Sequence, residues 1–172
     1  MRYLVMEPVG NTLLPTVSGG KNNEVVIASN LSRFDNIDYD ARSELISERL
    51  KLLLEKYLPK YDFQPVVYLD TAKDNQMIFW RFGPPTYDGF DAEFRNDWLV
   101  SHITFMDDRY PIAFTARSPR GVRSIVVRLA VAESALRRCI LGVKFTKVTD
   151  GDVIVSHIIS ECNLEGDESH QK

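Results

Sequence analysis

The sequence predicts an α+β fold: a single domain in which a mixed, mostly antiparallel sheet packs against two main helices. Three observations predict it. Ile46, Leu50, Leu53, Leu54 and Tyr57 recur at helical spacing, and a second helical stretch runs over about 133–141. Short β-rich runs at 63–69, 76–82, 99–105, 112–116, 124–129 and 143–148 surround these helices. Turn chemistry separates several neighbouring runs, above all Asp150-Gly151, a strong hairpin signal.

In order, residues 2–8 alternate as a first strand ended by Pro8. Residues 11–23, with Pro15, Gly19, Gly20, Asn22 and Asn23, read as a loop. Residues 24–28 form a short apolar strand, and 29–40 are polar and irregular. The first helix has two possible starts: Asp40 capping a long helix from Ala41, or Ser47 capping a shorter one with Glu48 near the positive end of the macrodipole. Ser47 is the favoured cap, with weak turn or strand structure before it, and Pro59 ends the helix. Residues 63–69 and 76–82 pair across a turn at 70–75, and Pro65 favours an edge position. Strand 99–105 ends at Asp107-Asp108, and Arg117-Ser118-Pro119-Arg120-Gly121 joins strands 112–116 and 124–129. Gly142 supplies the left-handed residue after the second helix. Strand 143–148 then turns back into 153–159. The acidic tail 163–172 has one apolar residue, Leu164, and is expected to be disordered, which leaves 1–162 as the domain. Ile46-Ser47-Glu48-Arg49-Leu50 and Ala132-Glu133-Ser134-Ala135-Leu136 each open a helix that leads to a strand. Duplication or two similar units would explain the echo, and its shortness favours the second.

With 44% hydrophobic and 26% charged residues, the chain has the makings of a real core. No apolar run approaches the roughly 18–20 residues that span a bilayer, and the apolar start is cut short by Glu7 and Pro8, unlike a signal peptide. The expectation is a cytoplasmic protein with no membrane partner. Cys139 and Cys162 have no neighbours that make a metal or redox motif. Cys139, placed on the second helix, reads as a buried free thiol, since a reducing compartment disfavours a structural disulfide.

Charge is unevenly spread. Arg117, Arg120, Arg123 and Arg128 face no acid between 110 and 128, and Arg109 lies just before them. Asp150, Asp152, Glu161, Glu165, Asp167 and Glu168 face only Lys172 after residue 148. A net charge of −3 argues against a general nucleic-acid binder and leaves room for an acidic face that meets a basic protein.

The segment 77–98 carries the strongest functional signal. An apolar run, Met77-Ile78-Phe79-Trp80, breaks at Gly83-Pro84-Pro85 and gives way to Tyr87, Asp88, Phe90, Asp91, Glu93, Phe94, Asp97 and Trp98. Rings gain most by leaving water and carboxylates lose most. Their alternation suggests rings seated inward or in a partner's pocket, with carboxylates at the rim. Two readings stand together: a docking surface with aromatic anchors and selective carboxylates, or a polar loop whose rings cap the core.

The pattern Leu45-Ile46-Ser47-Glu48-Arg49-Leu50-Lys51, then Phe63-Gln64-Pro65-Val66, Glu133 to Leu136 and Leu141-Gly142-Val143-Lys144-Phe145 resembles a family of bacterial immunity proteins that accompany polymorphic toxins, the number-eleven immunity class, formerly a domain of unknown function. The resemblance spans roughly residues 1–150. It implies a serine-capped helix leading into a strand, a central aromatic and acidic segment, and a late helix turning into a strand. It also implies a protein that binds and blocks a cognate toxin. The expected partner-binding residues are Tyr87, Asp88, Phe90, Asp91, Glu93 and Trp98, facing a basic surface on the toxin.

Other chemistries are less well supported. His102 and His157, with Asp107, Asp108, Glu161 or Cys162, have no metal-ligand spacing, and His170 lies in the tail. Cys139 sits in the apolar part of a predicted helix, where its pKa is not lowered for nucleophilic catalysis. Gly19-Gly20-Lys21 lacks the upstream glycine and following hydroxyl of a phosphate loop. The arginines around 117–128 alternate with Val and Ile as solvent-facing strand residues do. No cofactor, metal or nucleic acid is expected, and the protein is expected not to be an enzyme. The competing readings are a small cytoplasmic enzyme acting on a nucleotide or modified protein, with His102 and Asp107 or Asp108 in its site, and an adaptor domain whose partner is not a toxin.

Overall fold

The computed structural model describes residues 2–9, 14–15, 24–96, 99–106, 111–148 and 157–158. Strand β1 (Tyr3–Pro8) is the centre of a five-stranded antiparallel sheet. On one side it pairs with β10 (Arg123–Arg128), which pairs in turn with β9 (Ala113–Arg117). On the other it pairs with β11 (Val143–Val148), which carries β12 (His157–Ile158). Tyr3, Leu4, Val5 and Met6 are all buried, because both faces of this sheet are covered. The expected alternation of β1 is therefore a continuous apolar run instead.

A second five-stranded sheet runs β2 (Glu24–Ile27), β5 (Pro65–Asp70), β6 (Asn75–Arg81), β4 (Leu45–Ser47) and β3 (Tyr39–Asp40). Its pairings are antiparallel except β2 with β5. β7 (Phe90–Arg95) and β8 (Leu99–Phe105) form a separate hairpin. The α+β class is as expected, with the strands divided between these sheets. Pro65 is not at a sheet edge, since β5 lies between β2 and β6. It is tolerated because it opens the strand: β2 first pairs at Val66, so no ladder bond is asked of the missing N–H.

Ser47 caps α1 (Glu48–Leu54): its hydroxyl accepts from Leu50 N at 3.2 Å. The regular helix stops at Leu54, short of Pro59, and tightens into a turn where Tyr57 N bonds Leu54 O at 2.9 Å. α2 spans Leu129–Arg137, earlier than the expected 133–141, because the chain passes directly from β10 into the helix. Cys139 follows the helix with φ of 48°, is exposed, and is not a free thiol. The expectation of a buried free cysteine on the helix fails for that reason. Gly142 is left-handed, with φ of 71°, but serves the turn into β11 rather than the helix end. The expected hairpin turn at Asp150-Gly151 and the tail lie outside the described residues.

One apolar cluster joins Leu50, Leu53 and Leu54 of α1 with Val131, Ala132 and Ala135 of α2, and with Leu4, Ile125 and Phe145 of the first sheet. Tyr57 fastens the helices by donating to Ala130 O at 3.2 Å. A second cluster fills the opposite face of that sheet, beneath the β7–β8 hairpin. A third sets Leu14, Leu31 and Phe34 against Tyr68 and Phe79 of the second sheet. Among the described residues, no helix is long and apolar enough to cross a membrane.

Candidate functional site

The aromatic and acidic segment is strand β7, an element that the sequence reading left unassigned. Its residues alternate between half-buried and exposed: Phe90, Ala92 and Phe94 turn inward, while Asp91 and Glu93 are exposed. Tyr87 and Phe90 stack at 6.2 Å, and each meets Phe114 of β9, at 6.0 and 4.9 Å. Phe105 of β8 joins the cluster, 5.0 Å from Tyr3 and 6.0 Å from Phe114. The rings of Tyr87 and Phe90 thus cap the core over the first sheet.

The hairpin is held at its root. Thr115 N donates to Pro85 O at 3.0 Å, Thr86 bridges Thr115, and Met106 N donates to Gly89 O at 2.9 Å. Gly83-Pro84-Pro85, read as a break, is therefore the clamp that sets β7 against β9. Within the hairpin, Glu93 lies across from His102 but Phe94 lies across from Val100, so Ser101 is an extra residue. This bulge twists the strand locally. The Ser101 hydroxyl donates to Glu93 O at 3.1 Å and steadies it.

The outward face carries Asp91 opposite Thr104 and Glu93 opposite His102, with Asp88 exposed at the entrance to the strand. His102 Nε2 lies 2.9 Å from Thr104 Oγ1. Asp91 Oδ1 accepts from Ala92 N at 3.0 Å, a local bond that orients its carboxylate. The face offers hydrogen-bond acceptors and negative charge on a backbone fixed by buried rings. Such a surface suits a cationic protein partner.

Of the predicted partner-binding residues, Asp88, Asp91 and Glu93 are brought together as exposed carboxylates, and Tyr87 and Phe90 are brought together beneath them. Trp98 lies outside the described residues, as do Asp107 and Asp108, the expected companions of His102. Among the described residues no group of three His, Cys, Asp or Glu side chains could hold a metal ion. The arginine stretch does not alternate in and out: Ser124 to Val127 are all buried, with arginines only at the ends of β10. Arg123 stands directly opposite Arg117, and its charge is met by Glu44 at 2.6 Å.

The polar region 29–40 hides what sequence reasoning missed. Asp38 is 3% exposed and accepts from the Ser47 hydroxyl, the Arg49 guanidinium and Leu141 N. Asp40, 1% exposed, accepts from Leu14 N at 3.2 Å and Arg42 N at 3.0 Å. Burial is the main cause that raises the Tyr39 hydroxyl well above its ordinary range, with Glu44 and Asp40 adding to it and Arg123 opposing. The spacing of Asp38 from Ser47 and Leu141 leaves no local motif that could have announced this network.

Compared with models of known protein families, with curated proteins and with solved structures, the chain gives no significant match.

Proposed function

We propose that this protein is an immunity protein that binds a cognate bacterial toxin and neutralises it by occluding the toxin's active or substrate-binding site. The observation that carries the reading is the division within β7: Tyr87 and Phe90 are sunk against Phe114, while Asp88, Asp91 and Glu93 face solvent. A carboxylate surface held by a packed hairpin meets its partner with little loss of backbone freedom. It also draws a basic partner in from a distance, and more weakly as salt rises. The resemblance to toxin-associated immunity proteins supplies the class of partner. Where the toxin is a nuclease, these carboxylates take the position of its substrate's phosphates.

The test is a toxicity rescue. The product of the adjacent gene is expressed in a naive host with and without this protein, and the pair is co-purified. The expected result is rescue with a stable complex. Asp91→Lys combined with Glu93→Lys should keep the wild-type melting temperature, because both sites are exposed, and should weaken complex formation by about a hundredfold. Rescue with no complex, or undiminished binding by the charge-reversed variant, would overturn the reading.

A further inference from the structure

β2 ends the second sheet, and among the described residues no strand pairs with its outer side. Its partner is β5, in a parallel register that runs from Glu24 beside Val66 to Ile27 beside Leu69. Ala28 N donates to Leu69 O at 2.9 Å, so even-numbered residues of β2 direct their backbone groups toward β5 and odd-numbered ones direct them outward. The N–H and C=O groups of Val25 and Ile27 therefore line the outer edge. The side chains divide in the same way. Val26 packs inward with Tyr68 and Phe79, while Val25 and Ile27 are 59% and 66% exposed.

The register carries this apolar face across the sheet. Val25 lies beside Val67, which lies beside Ile78, and Ile27 lies beside Leu69. Val67 and Leu69 are half-buried, and Ile78 is 42% exposed. The face is covered at Trp80, whose ring centre lies 4.3 Å from Lys51 Nζ, and opens toward β2. Exposed sheet edges are ordinarily protected by lysine, proline or a bulge. Glu24-Val25-Val26-Ile27 holds no lysine or proline, and its pairing with β5 runs without a register shift.

We propose that β2 is a self-association edge, to which a second copy of this chain adds its own β2, antiparallel about a two-fold axis. The register follows from which groups face outward. Val25 pairs with Ile27 of the second copy, and Ile27 with Val25 of the second copy, which engages every outward N–H and C=O of the strand. Val26 meets Val26 at the axis and Glu24 meets Ala28. No like charges are therefore opposed, and Glu24 keeps its ion pair with Arg81 at 2.6 Å. Val25 and Ile27 of both copies then cover one another on the face they share with Val67 and Leu69. A strand of four residues buries less than the about 800 Å² per partner of a standard interface, so the dimer is weak and concentration-dependent. The edge uses none of the β7–β8 carboxylates and stands whether or not the toxin reading holds.

The test is sedimentation equilibrium of the full-length protein from about micromolar to about millimolar concentration, with backbone amide exchange followed by NMR at both ends of the range. The expected result is a mass that rises from monomer to dimer, with the Val25 and Ile27 amides exchanging more slowly in the dimer. Two double variants test the register, and their exposed positions leave the monomer's fold intact. Val25→Lys with Ile27→Lys sets lysine opposite lysine and should weaken dimerisation about a hundredfold. Val25→Glu with Ile27→Lys sets glutamate opposite lysine and should dimerise about tenfold more tightly than the double-lysine variant. A monomeric mass throughout, Val25 and Ile27 amides that exchange equally fast at both concentrations, or a glutamate–lysine variant no tighter than the double-lysine one would each overturn the proposal.

Discussion

Replacing Asp38 by alanine tests the network that ties three distant segments together. The carboxylate accepts from Ser47 Oγ at the start of α1, from Arg49 in its first turn, and from Leu141 N beyond α2. Its backbone extends the same seam: Ser47 N donates to Asp38 O at 3.0 Å, and Asp38 N to Leu141 O at 3.2 Å. Alanine leaves the part-buried Leu141 N–H without its acceptor, at a cost of about 1–3 kcal/mol. It also frees the Ser47 hydroxyl from the bond that aims it at Leu50 N, which weakens the helix cap by about 1 kcal/mol. The Arg49 side chain is 49% exposed and returns to water, so its lost pairing adds under about 1 kcal/mol. The sum is roughly 2–5 kcal/mol, a large part of the about 5–15 kcal/mol that holds a domain together. Asp38→Asn, which keeps the volume and one acceptor oxygen, should lose about half as much. Urea unfolding followed by circular dichroism reads the effect as a lowered midpoint with an unchanged slope. A cost for Asp38→Ala under about 1 kcal/mol would refute the view that this buried carboxylate joins the two sheets' connections.

Gly142→Ala should destabilise the fold more than Gly121→Ala. Both glycines are left-handed, but a Cβ at Gly142 would stand 3.2 Å from Asn36 O, whereas one at Gly121 meets nothing within 4 Å. Thermal melting should show a loss of about 1–2 kcal/mol at Gly121 and more at Gly142. Phe114→Ala removes the fully buried ring on which Tyr3, Tyr87, Phe90 and Phe105 converge and should cost about 3–5 kcal/mol; amide exchange in the β7–β8 hairpin should accelerate more than in β5–β6. In alkaline titration followed by tyrosinate absorbance, Tyr39, Tyr61 and Tyr68 should ionise late, because burial is the largest cause raising all three hydroxyls. A folded-state pKa above the unfolded value keeps this contribution whole below about pH 10; stability then falls as pH rises and the unfolded chain ionises first. Unchanged stability across that alkaline window would contradict the assignment. Finally, an alkylating reagent should leave exposed Cys139 unmodified until a reductant is added, as peptide mass spectrometry can check.

Local chemistry made much of the fold legible. Ser47 announced α1 because a hydroxyl before an acidic first turn satisfies orphan N–H groups wherever it occurs. The β5–β6 hairpin was readable because two β-rich runs flank a polar turn, and its register runs from Pro65 opposite Trp80 to Asp70 opposite Asn75. What stayed hidden depends on partners distant in sequence. The start of α2 at Leu129 lies against β1, where Leu129 N donates to Arg2 O at 3.1 Å, so the helix begins in residues that read as strand. The division into separate sheets could not be read from strand propensities, which do not say which edges meet. Asp35 and Asp38 looked alike as solvated loop residues, although the first is exposed and the second is buried beneath Ser47 Oγ and Leu141 N.

The candidate site was legible as composition but not as geometry, and the strand period explains the difference. Two readings of the segment around Tyr87 to Glu93 competed while it was treated as a loop: rings that cap the core, or carboxylates that greet a partner. Once 90–95 is a strand, alternate residues point to opposite faces and the two readings describe its two sides. Phe90 and Phe94 pack with the cluster around Phe114, and Asp91 and Glu93 are left outside by the same backbone. Stability and the proposed recognition then rest on different side chains of one element. The outward positions can change with the partner at little cost to the fold, because exposed substitutions of this kind usually shift stability by no more than about 0.5 kcal/mol. The inward positions are held by packing and are not free to change in this way. In the immunity function proposed above, that separation lets the outward positions fit one toxin while the fold persists.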